Sequence, residues 1–158
     1  MSDKTYISEQ GLQKLEQELK YLKTEKRREI ADRIQTAKDL GDLSENAEYA
    51  EAKDDLAFNE GRIIELEELL RSAVVVEYGK KQSRTNFVQI GNKIKIKDQE
   101  SGDIIEYEIV GSCEADPLNS RISNESPLGK AFLNKKQGDE VEIVLPKKTV
   151  KYKIIEIF

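Results

Sequence analysis

The 158-residue sequence contains no histidine, no tryptophan and a single cysteine, Cys113. Without histidine there is no Ser-His-Asp triad, no histidine general base and no imidazole ligand for a metal. One thiol allows neither an internal disulfide nor a cysteine-based zinc cluster. Several catalytic and metal-site chemistries are therefore excluded, and the lone thiol is compatible with a reducing compartment.

Long apolar runs are also absent. No stretch approaches the ~18 apolar residues of a membrane span, and the N-terminal segment MSDKTYISEQ lacks the apolar core of a signal sequence. We therefore expect a cytoplasmic protein that has no membrane partner. The formal net charge is -5, from 26 basic and 31 acidic residues. This balance argues against a stand-alone DNA-binding protein, which normally carries a net basic domain.

Proline is absent from residues 1–76, and all three prolines lie in residues 77–158. The first part has 12 basic and 18 acidic residues, giving -6, and the second has 14 and 13, giving +1. Apolar residues recur at helical spacing in the first part and alternate as in strands in the second. We predict two domains with a boundary near residue 76.

The first part contains two series of apolar residues at helical spacing. The first series follows a predicted N-cap at Ser8, is irregular across the turn at Lys26, and comprises Leu12, Leu15, Leu19, Leu22, Ile30, Ile34 and Ala37. The second keeps alternating spacings of 3 and 4, and comprises Tyr49, Ala52, Leu56, Asn59, Ile63, Leu66, Leu70 and Ala73. The short connection at 41–44 predicts an antiparallel two-helix coiled coil, with helices of about 45 Å. A dimerising coiled coil is the alternative, but the short loop favours pairing within one chain, and we expect a monomer.

The second part has the period of strands. The alternation predicts four strands, at 93–97, 104–110, 140–145 and 150–158, with hairpin loops at 99–103 and around 146–148. Ser126 followed by Pro127 predicts the start of a short helix. This part is therefore a small α+β domain.

The densest negative charge falls at the predicted tip of the hairpin, where residues 39–60 hold eight acidic residues and one basic residue, Lys53. Asp42 and Glu45 have the spacing of a capping box, and acids in a first turn complement the helix dipole. From spacing alone, capping is the favoured interpretation. The same two carboxylates also suit a weakly held Mg²⁺ completed by waters and phosphate oxygens. Since a two-helix tip has no cleft, such chemistry requires the cleft of a partner.

The segment GDLSENAEY at 41–49, followed by Ala52 and Lys53, resembles the tip signature of the bacterial transcript cleavage factors GreA and GreB. The similarity extends to four further segments, at 12–22, 60–63, 109–116 and 126–129. Because the hairpin lacks a broad basic face, the resemblance is nearer to GreA than to GreB.

The resemblance implies an N-terminal antiparallel coiled coil followed by a small FKBP-like antiparallel β-sheet domain with one short helix. It implies that the second domain docks on bacterial RNA polymerase while the coiled coil enters the secondary channel. There Asp42 and Glu45 would help to hold a Mg²⁺ in the polymerase active site and orient a water, stimulating cleavage of backtracked nascent RNA near its 3′ end. The chain itself would then be no enzyme and have no cofactor of its own, and it would rescue arrested complexes.

The resemblance also assigns supporting and RNA-contacting residues. The tip-supporting residues are Ser44, Asn46, Glu48 and Tyr49, of which Tyr49 also lies on the heptad seam. Lys38 and Lys53 match positions of a small basic patch that would touch RNA phosphates, or they are ordinary surface lysines.

Two rival functions have to be considered. A secondary-channel inhibitor of the same fold is disfavoured because Ser44 stands where such a factor has a further acid. A coiled-coil chaperone or prolyl isomerase is disfavoured because the second part has few aromatic side chains to line a pocket.

Overall fold

The computed structural model describes residues 4–42, 46–78 and 86–158. In chain order its elements are β1 (Thr5–Ile7), α1 (Glu9–Tyr21), a π-helical turn (Leu22–Lys26), α2 (Arg27–Asp39), α3 (Ala47–Ser72), β2 (Ala73–Val75), β3 (Lys93–Asp98), β4 (Ile104–Val110), β5 (Arg121–Ser123), α4 (Pro127–Phe132), β6 (Glu140–Val144) and β7 (Thr149–Ile157). The α+β class is confirmed. The chain divides into a helical unit, Leu12–Ser72, and a second unit that combines the residues up to Gly11 with those from Ala73 onward.

The helical unit is an antiparallel hairpin in which α3 packs against α2 and the π-helical turn. The predicted seam supplies its buried apolar side chains, which are Ile30, Ala37, Ala52, Ile63 and Leu66. Small residues stand on both helices at the end where α2 stops and α3 starts, so the two backbones can approach closely there. The predicted coiled-coil hairpin is therefore confirmed.

The first helix of the hairpin is interrupted by the π-helical turn, in which the backbone N of Arg27 donates to the O of Leu22, five residues earlier. The apolar spacing explains this turn. Leu22 and Ile30 are eight residues apart, whereas two steps of a heptad seam cover seven, so the sequence holds one residue too many for a regular seam. The wider turn absorbs that residue and keeps Ile30 fully buried. Asn59 of α3 donates from Nδ2 to the same Leu22 carbonyl at 3.2 Å.

The second unit contains a five-stranded sheet with the strand order β5-β4-β3-β7-β6. All neighbours are antiparallel except β5, which runs parallel to β4. The sheet is therefore mixed rather than wholly antiparallel, because two 3₁₀ turns between 112 and 119 carry the chain back before β5 starts. Apolar side chains from the strands, α4 and the loop before β3 form the core, which comprises Val88, Ile94, Ile96, Ile109, Ile122, Phe132, Val141, Ile143 and Ile154.

The N-terminal strand β1 pairs in parallel with β2, and both belong to the unit that contains the five-stranded sheet. The compact units thus do not follow the sequence boundary at residue 76, since the two ends of the first part pack with the second part. Ile7 is buried, and the backbone N of Ser8 donates to Glu114 Oε2 at 2.7 Å. Ser8 Oγ also donates to the Glu114 carboxylate and accepts from the backbone N of Gly11, so the predicted N-cap at Ser8 is confirmed.

The single cysteine, Cys113, lies in a 3₁₀ turn and is exposed to solvent. In the described ranges, none of the helices combines the length and apolarity needed to cross a bilayer.

Candidate functional site at the tip of the helical hairpin

The predicted catalytic carboxylates fall at the tip, defined here as the end of the hairpin where α2 stops and α3 starts. Asp42 is exposed, whereas Glu45 and the supporting Ser44 lie outside the described residues. Gly41 has a φ of 125°, a backbone conformation that side-chain-bearing residues rarely adopt, and it turns the chain away from the end of α2. Asp42 therefore directly follows the Gly41 turn at the tip.

Asn46 hydrogen-bonds to both helices at the tip. Its Oδ1 accepts from the backbone N of Tyr49 at 3.1 Å, which makes it the N-cap of α3. Its Nδ2 donates to the backbone O of Ala37, in the last turn of α2, at 2.7 Å. Asn46, and not Asp42, is thus the N-cap of α3, which starts five residues after Asp42.

Two substitutions at Asn46 should separate its cap from its bridge to α2. Asn46→Ala removes both hydrogen bonds and is expected to destabilise the hairpin by about 2 kcal/mol. Asn46→Asp keeps an acceptor at the cap and loses only the donor to Ala37, so we expect a loss of about 1 kcal/mol. Urea denaturation followed by helical circular dichroism measures both. Equal losses of stability for the two variants would show that only the hydrogen bond from Asn46 to Ala37 stabilises the hairpin.

Three acidic residues of α3 pair with arginines of the first helix. Arg27 donates to Glu60 through Nε and Nη2 at 2.8 and 2.7 Å. Arg33 Nη1 lies 2.5 Å from Asp55 Oδ2, and its Nη2 lies 4.0 Å from Glu51 Oε1. The hydrogen bond from Arg27 lowers the pKa of Glu60 below its usual value. These exposed pairs join the two helices, and each is expected to stabilise the hairpin only slightly.

The acidic charge that remains near the tip is smaller than the sequence count indicates. Asp39 accepts from the side chain of Gln35 at 3.0 Å within α2. Glu48 and Asp54 are exposed on α3. Asp42 is exposed beyond the Gly41 turn. The acidic side chains that remain candidates for catalysis therefore lie near the end of the hairpin.

The two predicted RNA-contacting lysines are both exposed. Lys53 Nζ lies 5.6 Å from the centroid of the Tyr49 ring, in cation–π geometry. Lys38 lies in the last turn of α2, where a positive charge complements the helix dipole. Each lysine thus has a local structural role, and contact with RNA stays a prediction.

Comparisons with known proteins cover both units. Residues 5–75 match a family model described as the N-terminal part of a transcription elongation factor, and residues 82–158 match its GreA/GreB C-terminal counterpart. The chain belongs to the GreA/GreB family of transcription elongation factors. The predicted family is thereby confirmed.

Individual members of the GreA/GreB family are similar over nearly the whole chain. Transcription elongation factor GreA of Clostridium beijerinckii is 53% identical and covers 94% of this chain and 91% of its own. The protein of the same name from Acetivibrio thermocellus is 52% identical and covers 96% and 94%. The crystal structure of GreA factor homolog 1 of Thermus thermophilus is 26% identical, covers 98% and 99%, and superposes with a TM-score of 0.43. These relatives are named GreA, which agrees with the prediction that the chain is nearer to GreA than to GreB.

Metal binding at the tip of this GreA/GreB family member would require ligands from elsewhere. No three acidic or cysteine side chains in the described part of the chain are grouped closely enough to hold a metal ion. The carboxylate of Asp42 supplies the hard oxygen ligands that Mg²⁺ prefers, but a single residue leaves most coordination positions to waters and other groups. The donor chemistry fits Mg²⁺, and the sharing of the ion with a partner stays a prediction.

The sequence analysis missed two asparagines. Asn46 was assigned only a general supporting role, although an Asn directly before a helical run is a standard capping signal. Asn59 was counted as a seam position, and its polarity at a buried site was the available signal. Both donate side-chain hydrogen bonds to backbone carbonyls of the first helix.

Proposed function

We propose that this transcription elongation factor binds bacterial RNA polymerase and stimulates the polymerase's own cleavage of backtracked nascent RNA. In this proposal the hairpin enters the secondary channel and brings Asp42 and Glu45 to the polymerase active site. The observation that supports it is the position of Asp42, which is exposed beyond the Gly41 turn while Asn46 performs the capping. An exposed carboxylate at the end of the hairpin is accessible to the groups of a partner.

The chain's own residues contribute charge and position. Asp42 and Glu45 supply carboxylates, and the bonds of Asn46 fix the ends of both helices on either side of them. A Mg²⁺ bound there would stabilise charge on the phosphate and lower the pKa of a bound water. We assign Lys38 and Lys53 to the phosphates of the RNA 3′ segment, and Ser44, Glu48 and Tyr49 to supporting the tip.

The proposed chemistry depends on the partner. Lys38, Asp42 and Glu48 are exposed at the tip, and exposed groups do not by themselves exclude water from a phosphodiester. We therefore expect the chain to have no nuclease activity alone, with the Mg²⁺ held in the polymerase active site. We also expect it to act as a monomer in the cytoplasm.

The test adds the purified chain and Mg²⁺ to arrested elongation complexes whose RNA carries a 5′ label. We expect shortened RNA that is extended again when nucleotides are supplied. Arrest without cleavage would favour the inhibitor alternative. Cleavage of free RNA without polymerase would show that the chain is itself a nuclease, and turnover of a proline peptide would favour an isomerase.

A further inference from the structure

The outward face of α3 exposes a large aromatic side chain. Phe58 is 81% exposed and Ile64 is 57% exposed, although the same helix buries its seam residues. Ala57 and Gly61 are exposed between them. Positions 57, 58, 61 and 64 fall on one side of a helix, because residues three and four apart are neighbours on its surface. We call these four residues the outer patch.

The packing around Gly61 does not require a glycine. Glycine is among the poorest helix formers, yet it stands in the interior of a 26-residue helix. A Cβ at this position would meet nothing within 4 Å, and the backbone there has no positive φ. Alanine would therefore suit the isolated hairpin better. The glycine leaves a shallow gap on the helix surface one turn from the Phe58 ring.

Acidic residues border the outer patch at both ends. Asp54 lies one turn before Phe58, and Glu68 lies one turn beyond Ile64, and both are exposed. The basic residue within this segment, Arg62, is paired with Glu18 and Glu65, and Lys53 before it lies over the Tyr49 ring. Acidic borders repel the phosphates of nucleic acids and anionic lipids. They complement a protein surface in which an apolar recess is bordered by lysine or arginine.

We propose that the outer patch is a docking surface for RNA polymerase protein, in which the Phe58 ring enters an apolar recess with a basic border. Gly61 lets the partner's side chains approach the helix backbone beside that ring. The identity of the partner rests on the proposed function. The role of the patch differs from that of the tip, since the patch sets affinity and the tip carboxylates act in cleavage.

The test measures binding of the fluorescently labelled chain to RNA polymerase, together with RNA cleavage at saturating factor. Phe58→Ala is expected to raise Kd roughly tenfold or more, since buried aromatic anchors dominate interfaces, and to leave the saturated cleavage rate unchanged. Gly61→Ala is expected to raise the melting temperature of the hairpin while it also raises Kd. Tyr21→Ala is the control, because Tyr21 is a 46% exposed aromatic residue of α1 that lies outside the outer patch. Its Kd should stay at the wild-type value.

Each alternative occupant gives a different result. Unchanged Kd for both Phe58→Ala and Gly61→Ala would overturn the proposal even if cleavage is stimulated. A Phe58-dependent affinity for single-stranded RNA alone would assign the patch to nucleic acid, and Phe58-dependent self-association would assign it to a second copy. Phe58-dependent binding to polymerase without stimulated cleavage would support the docking surface and contradict the proposed function.

Discussion

Replacing Asp42 with asparagine is expected to reduce stimulated RNA cleavage by roughly 100-fold while polymerase binding is kept. Asparagine has the size of aspartate and retains a carbonyl oxygen, but it lacks the negative charge that would hold a Mg²⁺ and orient a water. The hairpin should stay folded, because the N-cap of α3 is Asn46. Single-turnover cleavage of labelled RNA at saturating factor measures the effect, and a binding titration measures Kd.

Asp54→Asn is the matched control for charge. It makes the same chemical change at an exposed acidic residue of α3 that lies away from the Gly41 turn. We expect the cleavage rate of this variant to stay within about threefold of wild type, since scattered surface charges have small effects. Equal losses for the two variants would show that diffuse negative charge is sufficient, and full activity of Asp42→Asn would remove Asp42 from the proposed chemistry.

Gly111→Ala is expected to cause the largest loss of stability of any substitution proposed here, about 3 kcal/mol or more. A Cβ at this position would lie 1.6 Å from the backbone O of Tyr6. The φ of Gly111 is -65°, which any residue adopts, so the cost comes from this collision alone. Strand β1 would have to move, and the hydrogen bonds between Ser8 and Glu114 would be lost with it. Urea denaturation measures the change in the free energy of unfolding.

Gly102→Ala separates the steric cost from the conformational cost of replacing glycine. Gly102 has a φ of 79° and nothing within 4 Å of a built Cβ, so alanine there is strained by its backbone only. We expect a loss of about 1 kcal/mol. If Gly111→Ala cost no more than this control, the close approach of β1 to Gly111 would not be a constraint on folding.

The regular elements could be predicted from the sequence because their patterns repeat over many residues. The seam of α3 covers more than three heptads, and residues 93–97 alternate lysine with isoleucine. Strands β1 and β5 have three residues each, which is too short for alternation to be recognised. Both are also held by long-range pairing, β1 with β2 and β5 with β4, which no local pattern indicates.

The candidate site was predicted less completely than the fold. Spacing alone could not decide between two acceptors that lie close together in sequence, and it assigned the cap to Asp42 instead of Asn46. The count of acids also overstated the charge at the tip, because pairing with Arg27 and Arg33 depends on which faces of the two helices meet. Contacts across the hairpin depend on the tertiary structure and are not indicated by local spacing. The family signature at 41–49, by contrast, is a local sequence pattern.

The π-helical turn sets a rule for building chimeras of this hairpin with relatives. The extra residue lies only in the first helix, so the stretches before Leu22 and after Lys26 are in different angular phase with respect to a regular heptad. A graft that replaced residues 9–26 with an uninterrupted heptad would rotate α2 by about 100°, the angle of one residue, and turn Ile30 away from α3. A splice site after Lys26 keeps the π-helical turn and therefore keeps the phase of α2 with respect to α3.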